Sequence, residues 1–143
     1  MGQQQLILLV IGVVVVGIAI MLGFQAFTEG LKKTNLDALI NDANAVACDA
    51  QIWRAKSLVN GGGGGNPSND MWHGLAFSKL GYPVEDDGSY LNPNGMFTLV
   101  DEGNSVLTIT ARNPSLGNEV VFTVTGMSPD DIIYVINPNY TGD

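Results

Sequence analysis

Residues 6–24 read LILLVIGVVVVGIAIMLGF: nineteen residues, Leu6 to Phe24, without a charge, a proline or a strongly polar side chain. At about 1.5 Å per residue they make a helix about 28 Å long, close to the ~30 Å hydrocarbon thickness of a bilayer. A helix apolar on every side has two homes, lipid or the company of other apolar helices. The rest of the chain is read as what this helix carries. The run Val13–Val16 suits a helix shielded from water, where nothing competes for the backbone. Gly12, Gly17, Gly23 and Gly30 interrupt the segment, and each would cost up to about 1 kcal/mol in a water-exposed helix. They read as sites of close packing or local stretching, or as ordinary membrane-helix glycine.

Of 143 residues about thirty serve the apolar segment, which leaves one small domain with a single core. The expected organisation is an apolar helix over 1–30, its amphipathic continuation over 31–60 and a globular head over 61–143. The net charge of −8 falls outside the first twenty-eight residues, which carry none. Such a surface repels nucleic-acid phosphates and anionic headgroups, so no nucleic-acid partner is expected. Met1–Gln5 lacks the basic start of a secretory signal, and the apolar run exceeds the 7–15 residues of one. Lys32 and Lys33, offset by Glu29 and Asp37, give only a weak positive-inside bias.

Helix is expected from Gln3 to Val59, with Thr34 or Asn35 able to cap a fresh start after Gly30. Leu36, Leu39, Ala43, Val46, Ala50 and Trp53 recur at spacings of three and four, with Asp37, Asp42, Asp49 and Arg54 between them. Lone Cys48 forbids an internal disulfide and reads as a buried small hydrophobe. Asn60–Gly65, NGGGGG, ends the helix as a flexible turn; no GK[ST] follows to make it a phosphate loop. A short helix over 70–80, capped by Asn69 or Asp70, would turn Met71, Leu75, Phe77 and Leu80 inward.

From Gly95 the period becomes two. Met96–Val100, Ser105–Arg112, Glu119–Gly126 and Asp131–Asn137 read as four strands with an apolar face and a threonine-rich face. Short connections make neighbours antiparallel. The fold class is α+β: a long N-terminal helix, apolar then amphipathic, packed on a four-stranded antiparallel meander.

Little in the chain suggests catalysis. His73 and Cys48 are each the only residue of their kind, and no CxxC, CxxCH or HExxH occurs. No enzyme activity, cofactor or metal is expected. Glu85, Asp86 and Asp87 lack EF-hand spacing and read as solvated loop acids. Trp53, Trp72, Tyr82 and Tyr90 read as core rather than a ligand patch. Asn139-Tyr140-Thr141 matches a glycosylation sequon.

The opening MGQQQLILLVIGVVVVGIAI, the amphipathic continuation and the small sheet together resemble the type IV pilin family and related filament subunits. The resemblance implies a peptidase that cuts after a glycine preceding the apolar helix, here Gly2. The family's glutamate at the fifth mature residue has no counterpart, since that position is Ile7 after cleavage at Gly2 and Gln5 without it. The resemblance further implies a structural subunit of an extracellular pilus-like filament, held in the inner membrane before assembly. Gln5, Leu6, Leu9, Val10, Val13, Val14, Ile18, Ile20, Leu22, Phe24 and Phe27 would form its core, with Gly12, Gly17 and Gly23 permitting close packing or stretching. The implied partners are copies of the chain, the membrane, and surface or secretion-machinery proteins. The alternatives are a single-pass anchor displaying an extracytoplasmic binding domain and a minor pilin-like component of a secretion machine.

Overall fold

The computed structural model describes residues 2–65, 70–137 and 140. The chain divides into two compact units, Met1–Thr34 and Asn35–Asp143, and helix α1, Gly2–Ala55, contributes to both. The fresh start allowed for at Thr34 or Asn35 does not occur. The Thr34 hydroxyl instead donates back to the Gly30 carbonyl at 3.0 Å, which keeps the residue within the helical ladder. Asn35 spends its side chain on the sheet domain, donating to the Asn94 carbonyl at 2.7 Å.

In the second unit α1 buries Leu39, Ala43, Val46, Ala47, Ala50 and Trp53. This is the expected stripe, widened by Ala47, with Leu36 packed at its margin. Cys48 departs from expectation: it is exposed, one step round the helix from the buried face. The helix also stops at Ala55 rather than Val59. The glycine loop folds back on the helix end, with Gly63 N–H donating to Trp53 O at 2.9 Å and Gly64 N–H to the carbonyl of Lys56, just past the helix, at 2.8 Å. NGGGGG is therefore an ordered cap rather than a flexible turn. A Cβ on Gly62 would overlap the Lys56 carbonyl, and one on Gly63 would overlap the Trp53 indole.

The expected helix over 70–80 shrinks to α2, Phe77–Leu80. Gly74, at φ +78°, interrupts the turn before it. Asp70 caps locally by accepting from Trp72 N–H at 3.2 Å. Met71, Leu75, Phe77 and Leu80 do join the core.

Five strands follow, one more than expected: β1 Tyr90–Asn92, β2 Gly95–Gly103, β3 Val106–Asn113, β4 Asn118–Val124 and β5 Ile132–Ile136. The additional β1 is three residues long and hidden in turn chemistry. Every neighbour is antiparallel, in the order β1-β2-β3-β4-β5. Alternation fixes the faces. Phe97, Leu107, Ile109, Ala111, Val120, Phe122 and Val124 are buried in one cluster with Trp72, Phe77 and the α1 residues Leu39, Ala43, Val46, Ala47 and Ala50. Each large side chain there contributes about 1.5–3 kcal/mol relative to exposure. Trp53 and Trp72 are buried, and half-buried Tyr82 and Tyr90 lie with ring centroids 4.8 Å apart. Trp53 and Trp72 are interior, and Tyr82 and Tyr90 pack against the core cluster, as aromatic residue type suggests.

Candidate functional site

The first unit is helix alone, and its side chains are on the surface. Leu6 is 65% exposed and Phe24 72%, and every residue from Gly2 to Phe27 is exposed. By length and composition α1 can cross a membrane. The expected core residues Gln5, Leu6, Leu9, Val10, Val13, Val14, Ile18, Ile20, Leu22, Phe24 and Phe27 are exposed without exception. At 100° per residue Gln5, Leu6, Leu9, Val13, Ile20, Phe24 and Phe27 fall within an arc of about 100°, and Val10, Val14, Ile18 and Leu22 follow round the helix from it. Gly2 is the first residue of α1, and Asn139 lies outside the described residues.

A Cβ built on Gly12, Gly17 or Gly23 meets nothing within 4 Å. Within the chain itself these glycines relieve no crowding. Gly12 and Gly23 fall with Ala19, Ala26 and Gly30 inside an arc of roughly 60° of helix surface, while Gly17 lies on another side. Ala19 and Ala26 were not singled out from sequence, although the 4-3-4 spacing of 19, 23, 26 and 30 carried the signal. Small residues so spaced let helix backbones approach closely.

In the second unit a polar flank of α1 holds the helix to the sheet. Asn35, Asp42 and Asp49, seven residues apart, share one side of the helix. Asn35 Oδ1 accepts from Asn118 Nδ2 at 3.0 Å, and Asp42 Oδ2 accepts from Asn92 Nδ2 at 2.8 Å and Asn94 Nδ2 at 2.7 Å. Asp49 Oδ2 accepts from the Tyr82 hydroxyl at 2.6 Å. On the other flank Gln51 Nε2 donates to the carbonyls of Gly126 and Ser128, both at 2.9 Å. Burial, then the Asp49 carboxylate, push the Tyr82 hydroxyl well above its ordinary pKa. In the sequence these acids look like spacers between apolar positions; the seven-residue period of Asn35, Asp42 and Asp49 marks a second, polar seam.

Asp87 accepts from Ser89 Oγ at 2.6 Å and Ser89 N–H at 2.9 Å. The Ser89 side chain first, then its N–H, hold this carboxyl below its usual range. It is an Asx-type turn acid. No group of three or more His, Cys, Asp or Glu among the described residues could hold a metal ion. His73 is exposed. No known protein family, curated protein or solved structure matches this chain.

Proposed function

We propose that the chain is a structural, non-catalytic subunit of an extracellular pilus-like filament, polymerising through the apolar part of α1 and held in the membrane before assembly. The observation that carries this reading is the wholly exposed, charge-free stretch Leu6–Phe24 in the same helix that, further on, forms part of a folded domain. Water is an untenable surrounding for it, since each large side chain gains about 1.5–3 kcal/mol on leaving water. Lipid satisfies that demand for one copy. Neighbouring helices satisfy it for many, with the small residues Gly12, Ala19, Gly23, Ala26 and Gly30 permitting close approach. Contacts of this kind repeat without closing when they are heterologous.

A second reading, a single-pass anchor for an extracytoplasmic binding domain, draws on the length and composition of α1, which suffice to cross a membrane. Electron microscopy of material sheared from cells, with mass spectrometry of the N-terminus, separates the two. Uniform fibres that contain this chain and sediment without detergent support the polymer. A chain found only in membranes, soluble in detergent as a small species, supports the anchor. The terminal mass reads directly whether cleavage follows Gly2.

A further inference from the structure

Where α1 ends, the second unit has a small cavity of about 170 Å³ walled by Trp53, Lys56, Lys79 and Leu80, with Asp49 and Ile52 also lining it. Trp53 is only 6% exposed, yet its indole Nε1 has no hydrogen-bond partner. A buried donor left in that state carries its full desolvation cost. The chain's other tryptophan is satisfied, since Trp72 Nε1 donates to the Ser105 carbonyl at 2.9 Å. A Cβ on Gly63 would overlap Cζ3, Cη2 and Cε3 of Trp53. The glycine loop therefore covers the benzene edge of the indole, and Nε1 lies on the opposite edge, turned away from the loop.

The charge around this donor is mainly positive. The chain has six basic residues against fourteen acids, and three of the six, Arg54, Lys56 and Lys79, stand here. Arg54 is spent on the loop, donating to the Gly63 carbonyl. Lys79 Nζ lies over the Trp53 indole, 5.9 Å from the ring centroid. Neither Lys56 nor Lys79 has an ion pair among the described residues. Asp49, the acid of the wall, already accepts from the Tyr82 hydroxyl. Arg54 and Lys79 fall in the last turns of α1 and α2, where cations offset the helix dipole. That role accounts for their sign and leaves the indole without an acceptor.

We propose that this cavity binds a phosphate-type oxyanion, with Trp53 Nε1–H, Lys56 and Lys79 as its three donors. A tetrahedral oxyanion presents three acceptor oxygens on one side, whereas a planar carboxylate presents two. Lysine is a point charge without arginine's planar fork, which suits phosphate better than carboxylate. The cavity admits one such group, and the net −8 of the chain repels a polyanion. Lys79 is exposed, so its flexible stem swings off the indole as the ion enters and the buried N–H gains its acceptor. The site lies wholly within the second unit. It goes beyond the filament reading and stands whether or not the chain polymerises.

The test follows the two indole N–H resonances of the ¹⁵N-labelled full chain in detergent, assigned with Trp53→Phe. Inorganic phosphate is titrated against sodium chloride at constant ionic strength, which removes general screening. The Trp53 resonance is expected to move downfield and saturate, while that of Trp72, already bonded to Ser105, stays in place. Lys56→Gln and Lys79→Gln should each weaken the response by about three- to tenfold, and together abolish it. Lys33→Gln, outside the cavity, should leave it unchanged. An unmoved Trp72 resonance in the double variant shows that the domain is still folded. No saturable movement at Trp53, equal movement of both indoles, or an undiminished response in the double variant overturns the site. Acetate as effective as phosphate overturns the tetrahedral assignment. Glycerol 2-phosphate separates the sources: tighter binding than inorganic phosphate assigns a phosphate monoester, and equal or weaker binding assigns the free ion.

Discussion

The Tyr82 hydroxyl donates to Asp49 Oδ2 at 2.6 Å, joining the loop after α2 to the polar flank of α1. The folded state raises the pKa of Tyr82 above its usual 10.0, by burial first and by Asp49 second. The contribution is therefore complete below about pH 10 and is lost as pH rises through the elevated folded value. Denaturation midpoints of the wild type and Tyr82→Phe, compared from pH 8 to pH 11, should differ by about 1–2 kcal/mol at the low end. The gap should narrow at the high end. A gap that stays constant across this range would contradict the assignment.

Asp42 accepts from two amides, Asn92 and Asn94. Asp42→Ala leaves both part-buried donors without this acceptor, and a loss of about 2–3 kcal/mol is expected from urea unfolding. Asp42→Asn, which keeps one acceptor oxygen, should recover part of it.

Gly63 packs against the Trp53 indole with no room for a Cβ. Gly63→Ala should destabilise the domain by about 1–3 kcal/mol and shift the tryptophan emission. Gly65→Ala tests a different cause at the same loop. There a Cβ meets nothing, but φ is +81°, so the cost should stay near 1–2 kcal/mol.

In the apolar helix Gly23 has open space around its Cα. Gly23→Leu should leave the unfolding of the sheet domain and membrane retention unchanged while abolishing sedimentable fibres. Undiminished fibre yield would remove close helix approach at Gly23 from the polymer reading.

Periodicity exposed the parts of the fold with a strong repeating cause. The three-four spacing of Leu39, Ala43, Val46, Ala50 and Trp53 and the alternation through Val120, Phe122 and Val124 mark the faces that are buried. Elements made by single contacts were not legible in this way. β1 exists because Asn92 and Gly95 bracket a hairpin that returns onto β2, and nothing in three residues announces a strand. Cys48 was assigned by residue type to the interior, whereas helical phase turns it outward. Thr34 looks like a cap because threonine is a favoured N-cap residue; the unbroken ladder gives it a carbonyl one turn back instead. The candidate surface itself was the most readable feature, since Leu6–Phe24 needs no tertiary information to be recognised as water-averse.

The ties along α1 carry a mechanical meaning. Asn35, Asp42, Asp49 and Gln51 attach the helix to the sheet domain between positions 35 and 51, about 24 Å of helix, flanking the apolar stripe that ends at Trp53. Tension reaching the domain through α1 is met first at Asn35 and then shared along this seam. A load applied parallel to the helix axis shears the whole row instead of opening it one contact at a time, so the joint yields as a unit.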